Sequence, residues 1–148
     1  MNANDYFNAG FDPIGLLPQS KDTREKGWND PSRPRTATLH HEGGNLGLRT
    51  GVPGTAPNGV LVDSDDDVPE AAIVSDSLFP PTHAIFVRAS KPRSHRMYVC
   101  NGDMPPHIKL NGLGGDDDTL CELRTRTKEG KALQTVVPPS VHVSGEAV

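Results

Sequence analysis

Two carboxylates two residues apart, Asp63 and Asp65, give the strongest chemical signal in the sequence. They end the apolar run Val60-Leu61-Val62, a pattern typical of a buried strand whose alternate side chains share one face. At the rise of a strand their Cα atoms are roughly 7 Å apart, so the carboxylates can share one or two hard cations. Acids this close repel each other unless a cation lies between them. The pair therefore predicts a divalent metal site.

Two other interpretations of these acids compete with metal binding. One is that they only begin the acidic cap of the next helix, a role that Asp66 and Asp67 fill more simply. Against it, Asp63 follows three apolar residues, and burial of an unpaired carboxylate is costly. The other is an EF-hand calcium loop, which fails because Val68 and Val74 stand where glycine and glutamate are needed.

The charge changes sign directly after the acids. Residues 54–87 hold six acids and no Lys or Arg, whereas residues 88–96 hold no acid, a single histidine and four cations: Arg88, Lys91, Arg93 and Arg96. An acidic metal centre followed by a basic segment suits a metal-bound polyphosphate. His95 could donate to a phosphate oxygen, with Arg93 or Lys91 screening the remaining charge. A half-exposed histidine at the start of a strand is the competing interpretation.

A third acid is normally needed beside an Asp-x-Asp pair, and the sequence offers two sources. Glu122 lies within the apolar strand pattern Leu120-Cys121-Glu122-Leu123-Arg124. An ion pair with Arg124, which alternates onto the same face, competes with a ligand role. The other source is the run 116–118, three consecutive aspartates in a Gly-rich segment, where acids more often face solvent.

The remaining polar patterns are weaker signals. Residues 43–51 are glycine-rich and could bring backbone amides near a nucleotide, but they match neither the dinucleotide fingerprint nor the P-loop. The other histidines with no partner at metal-ligand spacing are expected at the surface: His40, His41, His83 and His107. Cys100 and Cys121 have no CxxC partner, which favours small buried residues in a reducing compartment.

The elements that must position these residues follow from the same patterns. Strands are predicted at residues 45–51, 59–65, 84–88, 96–100, 120–125 and 134–137, with a basic loop at 88–96 and a polar connection at 101–118. A helix is predicted to open with Asp67 as its N-cap, followed by Pro69 and Glu70, and to end near Leu78. This order indicates an α+β fold, a sheet with helices mostly on one face.

Composition limits the class of protein. A chain of 148 residues is one domain's worth, and 15 Gly and 14 Pro with 34% hydrophobic residues indicate a loop-rich domain. Residues 1–43 are predicted to form an arm packed by Leu16, Leu17 and Trp28.

No apolar run approaches ~20 residues and the N-terminus lacks signal-peptide features, so we expect no membrane span and a cytoplasmic location. The net charge of −4 argues only weakly against nucleic-acid binding, because polymerases keep acids in the site and cations along a groove.

Five segments in order resemble the primase-polymerase (prim-pol) domain of the archaeo-eukaryotic primase superfamily, in its phage and plasmid replication-protein form. The resemblance runs from about Phe11 to Gly145. The segments are NLGLRTG at 45–51, the acids Asp63 and Asp65, residues 90–98 with His95, residues 121–124 with Glu122, and PPSVHVSG at 138–145.

This resemblance implies a sheet like that of an RNA-recognition motif, with the site on its open face. It also implies a small N-terminal module within residues 1–43, including Lys21 and Trp28, and a catalytic core at 44–148. The implied metal ligands, holding two Mg²⁺ or Mn²⁺ ions, are Asp63, Asp65 and Glu122. One ion would activate a 3′-hydroxyl and the other would stabilise the leaving pyrophosphate. The implied triphosphate ligands are His95, Arg93 and Lys91, and the implied template or nucleotide contacts are Arg124 and His142.

The implied activity is template-directed DNA priming and polymerisation from NTPs or dNTPs on single-stranded DNA, with a replicative helicase as partner. Two departures from the family stand out. Arg93 occupies a place that is usually small, two before the histidine, and the chain stops soon after Gly145, which favours a C-terminally truncated form. A non-catalytic nucleic-acid-binding module of the same fold is the main alternative, and a metal-dependent nuclease is a weaker one.

Overall fold

In the residues that the structure describes, two antiparallel sheets and two helices form the scaffold. The structure, a computed structural model, describes residues 1–36, 43–115 and 118–148, so the expectations for His40, His41, Asp116 and Asp117 lie outside the described residues. The elements in chain order are α1 (Ala3–Asn8), β1 (Pro13–Leu16), β2 (Asn45–Thr50), β3 (Val60–Asp66), α2 (Pro69–Leu78), β4 (Ile85–Arg88), β5 (Lys91–Cys100), β6 (Ile108–Asn111), β7 (Thr119–Arg124) and β8 (Leu133–Val137).

The smaller sheet has the strand order β1-β2-β8 and draws its strands from distant parts of the chain. Every residue of β2 is buried, and the register places Leu46 opposite Val137. The N-terminal segment packs onto this sheet: Leu16 is buried, and the hydroxyl of Tyr6 in α1 donates to the carbonyl of Pro138 over 3.0 Å. Because β1 pairs with β2, the small sheet combines residues from both sides of position 43.

The larger sheet has the order β4-β5-β3-β7-β6, so the acid-bearing strand β3 is at its centre. Alternation along β3 sends Asp66 to the face covered by α2, where Ser75 donates to it over 2.7 Å. The buried Arg96 lies on the same face, pairs with Asp66, and donates to the carbonyl of Ala72 in α2 over 2.9 Å. These bonds hold α2 against one face of the large sheet. The smaller sheet packs against the other face, which carries Asp63 and Asp65.

The hydrophobic core lies between the two sheets and α1. Its buried members come from both sheets and from the N-terminal helix: Ala3, Tyr6, Leu46, Leu48, Ala56, Leu61, Met97 and Val137. The sheets also bond directly, since the amide of Gly51 donates to the carbonyl of Leu61 over 2.8 Å. Gly51 has a φ of +77°, and a Cβ there would collide with the carbonyl of Thr125. Only glycine fits this turn, which brings the end of β2 against β3.

Most predicted strands are confirmed, and so is the α+β class. Three local predictions were wrong. The basic segment is not a loop, because β5 already starts at Lys91 and leaves only a two-residue turn. The connection 101–118 contains β6, whose four residues are all exposed and so give no burial pattern to read. The N-cap of α2 is Val68, because Asp67 instead binds Lys91 over 2.6 Å.

The N-terminal segment is more regular than the predicted arm, because it contains α1 and β1. Asn2 caps α1 through a capping box with Asp5, a short-range pattern that sequence alone could have indicated. Both cysteines are free thiols, with Cys121 buried and Cys100 half-buried. No helix within the described ranges has the length and apolar character needed to cross a membrane.

Candidate active site

The sheet register brings the predicted acids and histidine onto one face. Asp65 on β3 lies directly between His95 on β5 and Glu122 on β7. Two residues earlier on the same strand, Asp63 lies opposite Arg124. Directly opposite residues of antiparallel strands share a face and have Cβ atoms roughly 4.5–5.5 Å apart. Five of the predicted site residues are thus neighbours across three central strands.

Asp63 is the most buried of these groups, with a side chain that has no exposed surface. Its Oδ2 accepts from the hydroxyl of Thr135 on β8 over 2.6 Å and lies 3.0 Å from Nδ1 of His95. Its Oδ1 is buried and has no hydrogen-bond partner among the residues that the structure describes. Burial alone would raise the pKa of Asp63, but the charge of His95 and its hydrogen bond hold that pKa below the ordinary value.

His95 lies between the two aspartates. Its Nε2 is 3.7 Å from Oδ1 of Asp65, on the opposite side of the ring from Asp63. Although burial opposes the charged ring, the carboxylate of Asp63 and then that of Asp65 raise the pKa of His95. The pKa of Asp65 is also raised, because of its burial and the like charge of Asp63. The site therefore favours a cation between these acids, and the ring of His95 is the titratable group that lies there.

Arg124 lies between Asp65 and Glu122, as His95 lies between Asp63 and Asp65. Its Nη1 lies 3.7 Å from Asp65 and its Nε lies 3.9 Å from Oε2 of Glu122, while Nη2 donates to the carbonyl of Gln134 over 2.8 Å. The other oxygen of Glu122 is 3.0 Å from Nε2 of His107. His95 and Arg124 thus separate the three acids. Accordingly, no group of three His, Cys, Asp or Glu residues in the described chain is arranged to coordinate a metal.

The donor set nevertheless fits a hard divalent ion. Asp63 and Asp65 offer carboxylate oxygens, the ligands that Mg²⁺ and Mn²⁺ prefer. Oδ1 of Asp63 is a buried acceptor without a partner in the described part of the chain, and such an atom normally has a hydrogen bond or an ion in a folded protein. His95 and Arg124 lie among these acids, within 4 Å of their carboxylate oxygens.

A cleft opens beside Asp65 and His95, with about 530 Å³ of space including its solvent-open mouth. Its walls carry basic side chains from four parts of the chain: Lys21, Arg88, Lys91, Arg124 and His142. Nδ1 of His142 lies 3.0 Å from Nη1 of Arg88. Burial and the charge of Arg88 lower the pKa of His142. A cleft with acids at one side and cations around it favours a highly charged anionic ligand that carries a metal.

The basic segment divides between the two faces of the large sheet. Arg88 and Lys91 line the cleft, whereas Arg96 is buried under α2. Arg93 is also directed away from the cleft, because it pairs with Asp76 of α2 over 2.8 Å. Simple alternation would place Arg93 on the face of His95, but its φ of +62° interrupts the strand pattern. The structure therefore does not bring this predicted triphosphate ligand to the site.

Several residues of the site escaped the sequence analysis. Thr135 and Gln134 give no signal in the sequence, because their roles arise only where β8 meets the large sheet. His107 was expected to be a surface residue, but its ring is only 27% exposed and contacts Glu122. The contact depends on the pairing of β6 with β7, and the sequence did not predict β6.

The fold and the site define a class of protein: an α+β domain with carboxylates on the central strands and a cation-lined cleft beside them. A family model described as "Bifunctional DNA primase/polymerase, N-terminal" (Prim-Pol) matches residues 3–148, so the chain belongs to this family. No curated protein and no solved structure matches the chain. Family membership supports a primase/polymerase-type nucleotidyltransferase role in DNA replication.

Proposed function

We propose that this protein is a template-directed DNA primase/polymerase, which transfers nucleotides from an NTP or dNTP to a 3′-hydroxyl on single-stranded DNA. The observation that carries the proposal is the position of Asp65 and His95 in the wall of a cleft that five basic side chains line. A nucleoside triphosphate with a divalent ion has the charge pattern that this cleft complements.

The acids have the role of metal ligands in this proposal. Asp63, Asp65 and Glu122 would hold two Mg²⁺ or Mn²⁺ ions, which supply activation of the attacking hydroxyl and stabilisation of the pyrophosphate. Thr135 orients Asp63 by donating to Oδ2, which leaves Oδ1 available. His95 would be placed to donate to a phosphate oxygen, since it lines the same cleft.

The cations bind and orient the triphosphate. Lys91 and Arg88 extend from the β4–β5 hairpin, while Lys21 and His142 approach from the smaller sheet's side of the cleft. Charged hydrogen bonds from several directions fix a phosphate chain in position, which is the main requirement of phosphoryl transfer. Arg124 contacts the template or the nucleotide in this scheme. Arg93 would join only by leaving Asp76.

The proposed function places the protein in the replication of a phage, a plasmid or another mobile element. Replication proteins of phages, plasmids and related mobile elements need priming on single-stranded DNA, and a replicative helicase exposes that template. We expect the protein to work beside such a helicase, as a separate protein or as a further domain. The chain's own contribution would be the priming and extension step.

The test is primer synthesis on a single-stranded template with NTPs or dNTPs and Mn²⁺. Wild type is compared with Asp63→Asn/Asp65→Asn, which keeps side-chain size and removes both charges. The matched control is Asp103→Asn/Glu129→Gln, which removes two exposed acids and the same total charge. The expected result is product from wild type and the control, and none from the double aspartate variant.

Two other results would contradict this proposal, each in favour of a different function. If no variant makes product while all bind single-stranded DNA equally, the chain is a non-catalytic binding module. If wild type degrades the template without triphosphates and the aspartate variant does not, the chain is a metal-dependent nuclease.

A further inference from the structure

His107, in the connection before β6, contacts Glu122, the third acid of the site. Nε2 of His107 lies 3.0 Å from Oε1 of Glu122, and both side chains are mostly buried. This contact rests on strand pairing, because Lys109 lies directly opposite Glu122 and His107 is two residues earlier on the same side. A diagonal neighbour of this kind is within reach of a long side chain.

The chain restricts the position of His107 from both sides. The two residues before it, Pro105 and Pro106, each have a fixed φ, which limits the conformations of the approach. The residue after it, Ile108, begins β6 and pairs with Leu123 of β7. The backbone on both sides of the ring is thus restricted. Among the described residues Nδ1 of the ring has no hydrogen-bond partner, and Nε2 contacts Glu122.

We infer that His107 is a positioning residue for Glu122: it holds Oε1 and so directs Oε2 toward Asp65 and Arg124. This inference rests on the proposed function, since it assigns His107 a role in the orientation of the third metal ligand. Carboxylates that bind metals are generally held by a further hydrogen bond, and loss of that partner typically costs 10–100-fold in metal affinity. His107 itself touches neither metal nor nucleotide in this assignment.

The geometry explains why a second partner is needed at this position. Oε2 of Glu122 is 3.9 Å from Nε of Arg124, too far for a hydrogen bond, so Arg124 alone does not fix the carboxylate. On the outer side of Glu122 lies the edge strand β6, where exposed Lys109 is the directly opposite residue. Without His107, the glutamate would be free to turn outward to solvent.

The experiment measures Mn²⁺ binding by the full chain from the electron paramagnetic resonance signal of free Mn²⁺. His107→Leu is expected to bind Mn²⁺ 10–100-fold more weakly than wild type. His107→Gln, whose amide reaches as far as Nε2, is expected to recover most of the loss, whereas the shorter His107→Asn is not. The matched control is His83→Leu, an exposed histidine in the segment before β4, with wild-type affinity expected.

A double-mutant comparison assigns the effect to Glu122. If His107 acts through this acid, His107→Leu adds no further loss to Glu122→Gln. In primer synthesis, His107→Leu should need more Mn²⁺ than wild type for half-maximal rate. Its rate at saturating Mn²⁺ should fall less than its rate at low Mn²⁺. A purely structural role would lower the thermal stability of His107→Leu and His107→Gln alike, without the difference in Mn²⁺ affinity.

The inference fails if Glu122→Gln weakens Mn²⁺ binding but His107→Leu does not, or if the loss from His107→Leu persists in the Glu122→Gln background. Either result leaves the proposed function intact. Failure of the proposed function has a different signature, because wild type itself would then make no primer. That result would overturn the inference as well.

Discussion

Nδ1 of His95 lies 3.0 Å from Oδ2 of Asp63, across the pairing of β3 with β5. The contact places a titratable cation where two acids would otherwise repel each other, and it raises the pKa of His95 while that of Asp63 is lowered. The histidine therefore stabilises the acidic face of the sheet.

The first prediction concerns the pH dependence of stability in the metal-free protein. Because the pKa of His95 is raised, its contribution is complete below about pH 6.5, the unfolded value, and is lost as the pH rises through the folded value. Thermal unfolding temperatures should therefore fall above about pH 6.5. His95→Gln should flatten this alkaline limb, and His83→Gln should leave it unchanged. Parallel limbs in all three proteins would contradict the role of His95.

The second prediction concerns Glu146, which binds the β4–β5 turn as an anion. Its carboxylate accepts from the amide of Ser90 over 2.8 Å and from the hydroxyl of Ser90 over 2.7 Å, and it lies 3.9 Å from Arg88. These bonds lower the pKa of Glu146. A phosphate group would compete for the same donors, so Glu146→Gln should bind a nucleoside triphosphate several-fold more tightly in calorimetry. Glu129→Gln, which removes an exposed acid elsewhere, should bind as wild type does.

The third prediction concerns the backbone at Arg93, whose φ of +62° is strained for any residue but glycine. Arg93→Gly and Arg93→Ala both remove the exposed ion pair with Asp76, so their difference isolates the backbone term. The glycine variant should be more stable than the alanine variant by about 1 kcal/mol in urea unfolding. Equal stabilities would show that the turn relaxes around the side chain. Wild-type triphosphate affinity in both variants would confirm that Arg93 is not a ligand.

The fourth prediction concerns the buried pair that ties the N-terminal segment to β2. Nη1 of Arg49 lies 2.5 Å from Oδ2 of Asp12, and both side chains are 1% exposed. Asp12→Ala leaves the guanidinium buried without this counter-charge, so it should cost roughly 3–5 kcal/mol in urea unfolding. Asp12→Ala/Arg49→Ala should cost less than the sum of the single changes. Asp103→Ala, at an exposed acid, should cost less than about 0.5 kcal/mol; additive losses at the buried pair would contradict the coupling.

The sequence by itself determined the elements with strong local patterns. The run Val60-Leu61-Val62 before Asp63 predicts a strand that ends in acids, and the structure places it at the centre of the large sheet. Pro69 at the start and Pro80 after the end predict α2 within a residue or two. The resemblance to the prim-pol family depends on the same short segments, and the family match covers almost the whole chain. These signals are local, so no knowledge of the fold was needed to find them.

Only the tertiary structure decided which side chains meet. Asp63 lies 72 residues from Thr135, and the two side chains bond because the small sheet packs against the large one. Strand β6 has four exposed residues, so it was identified only through its pairing with β7, and with it the contact of His107 with Glu122. Arg93 lies outside the predicted site because its positive φ turns its side chain to the other face of the sheet. The alternation of residues in the sequence does not indicate such a turn. Contacts between distant segments depend on register and packing, and those are properties of the folded chain.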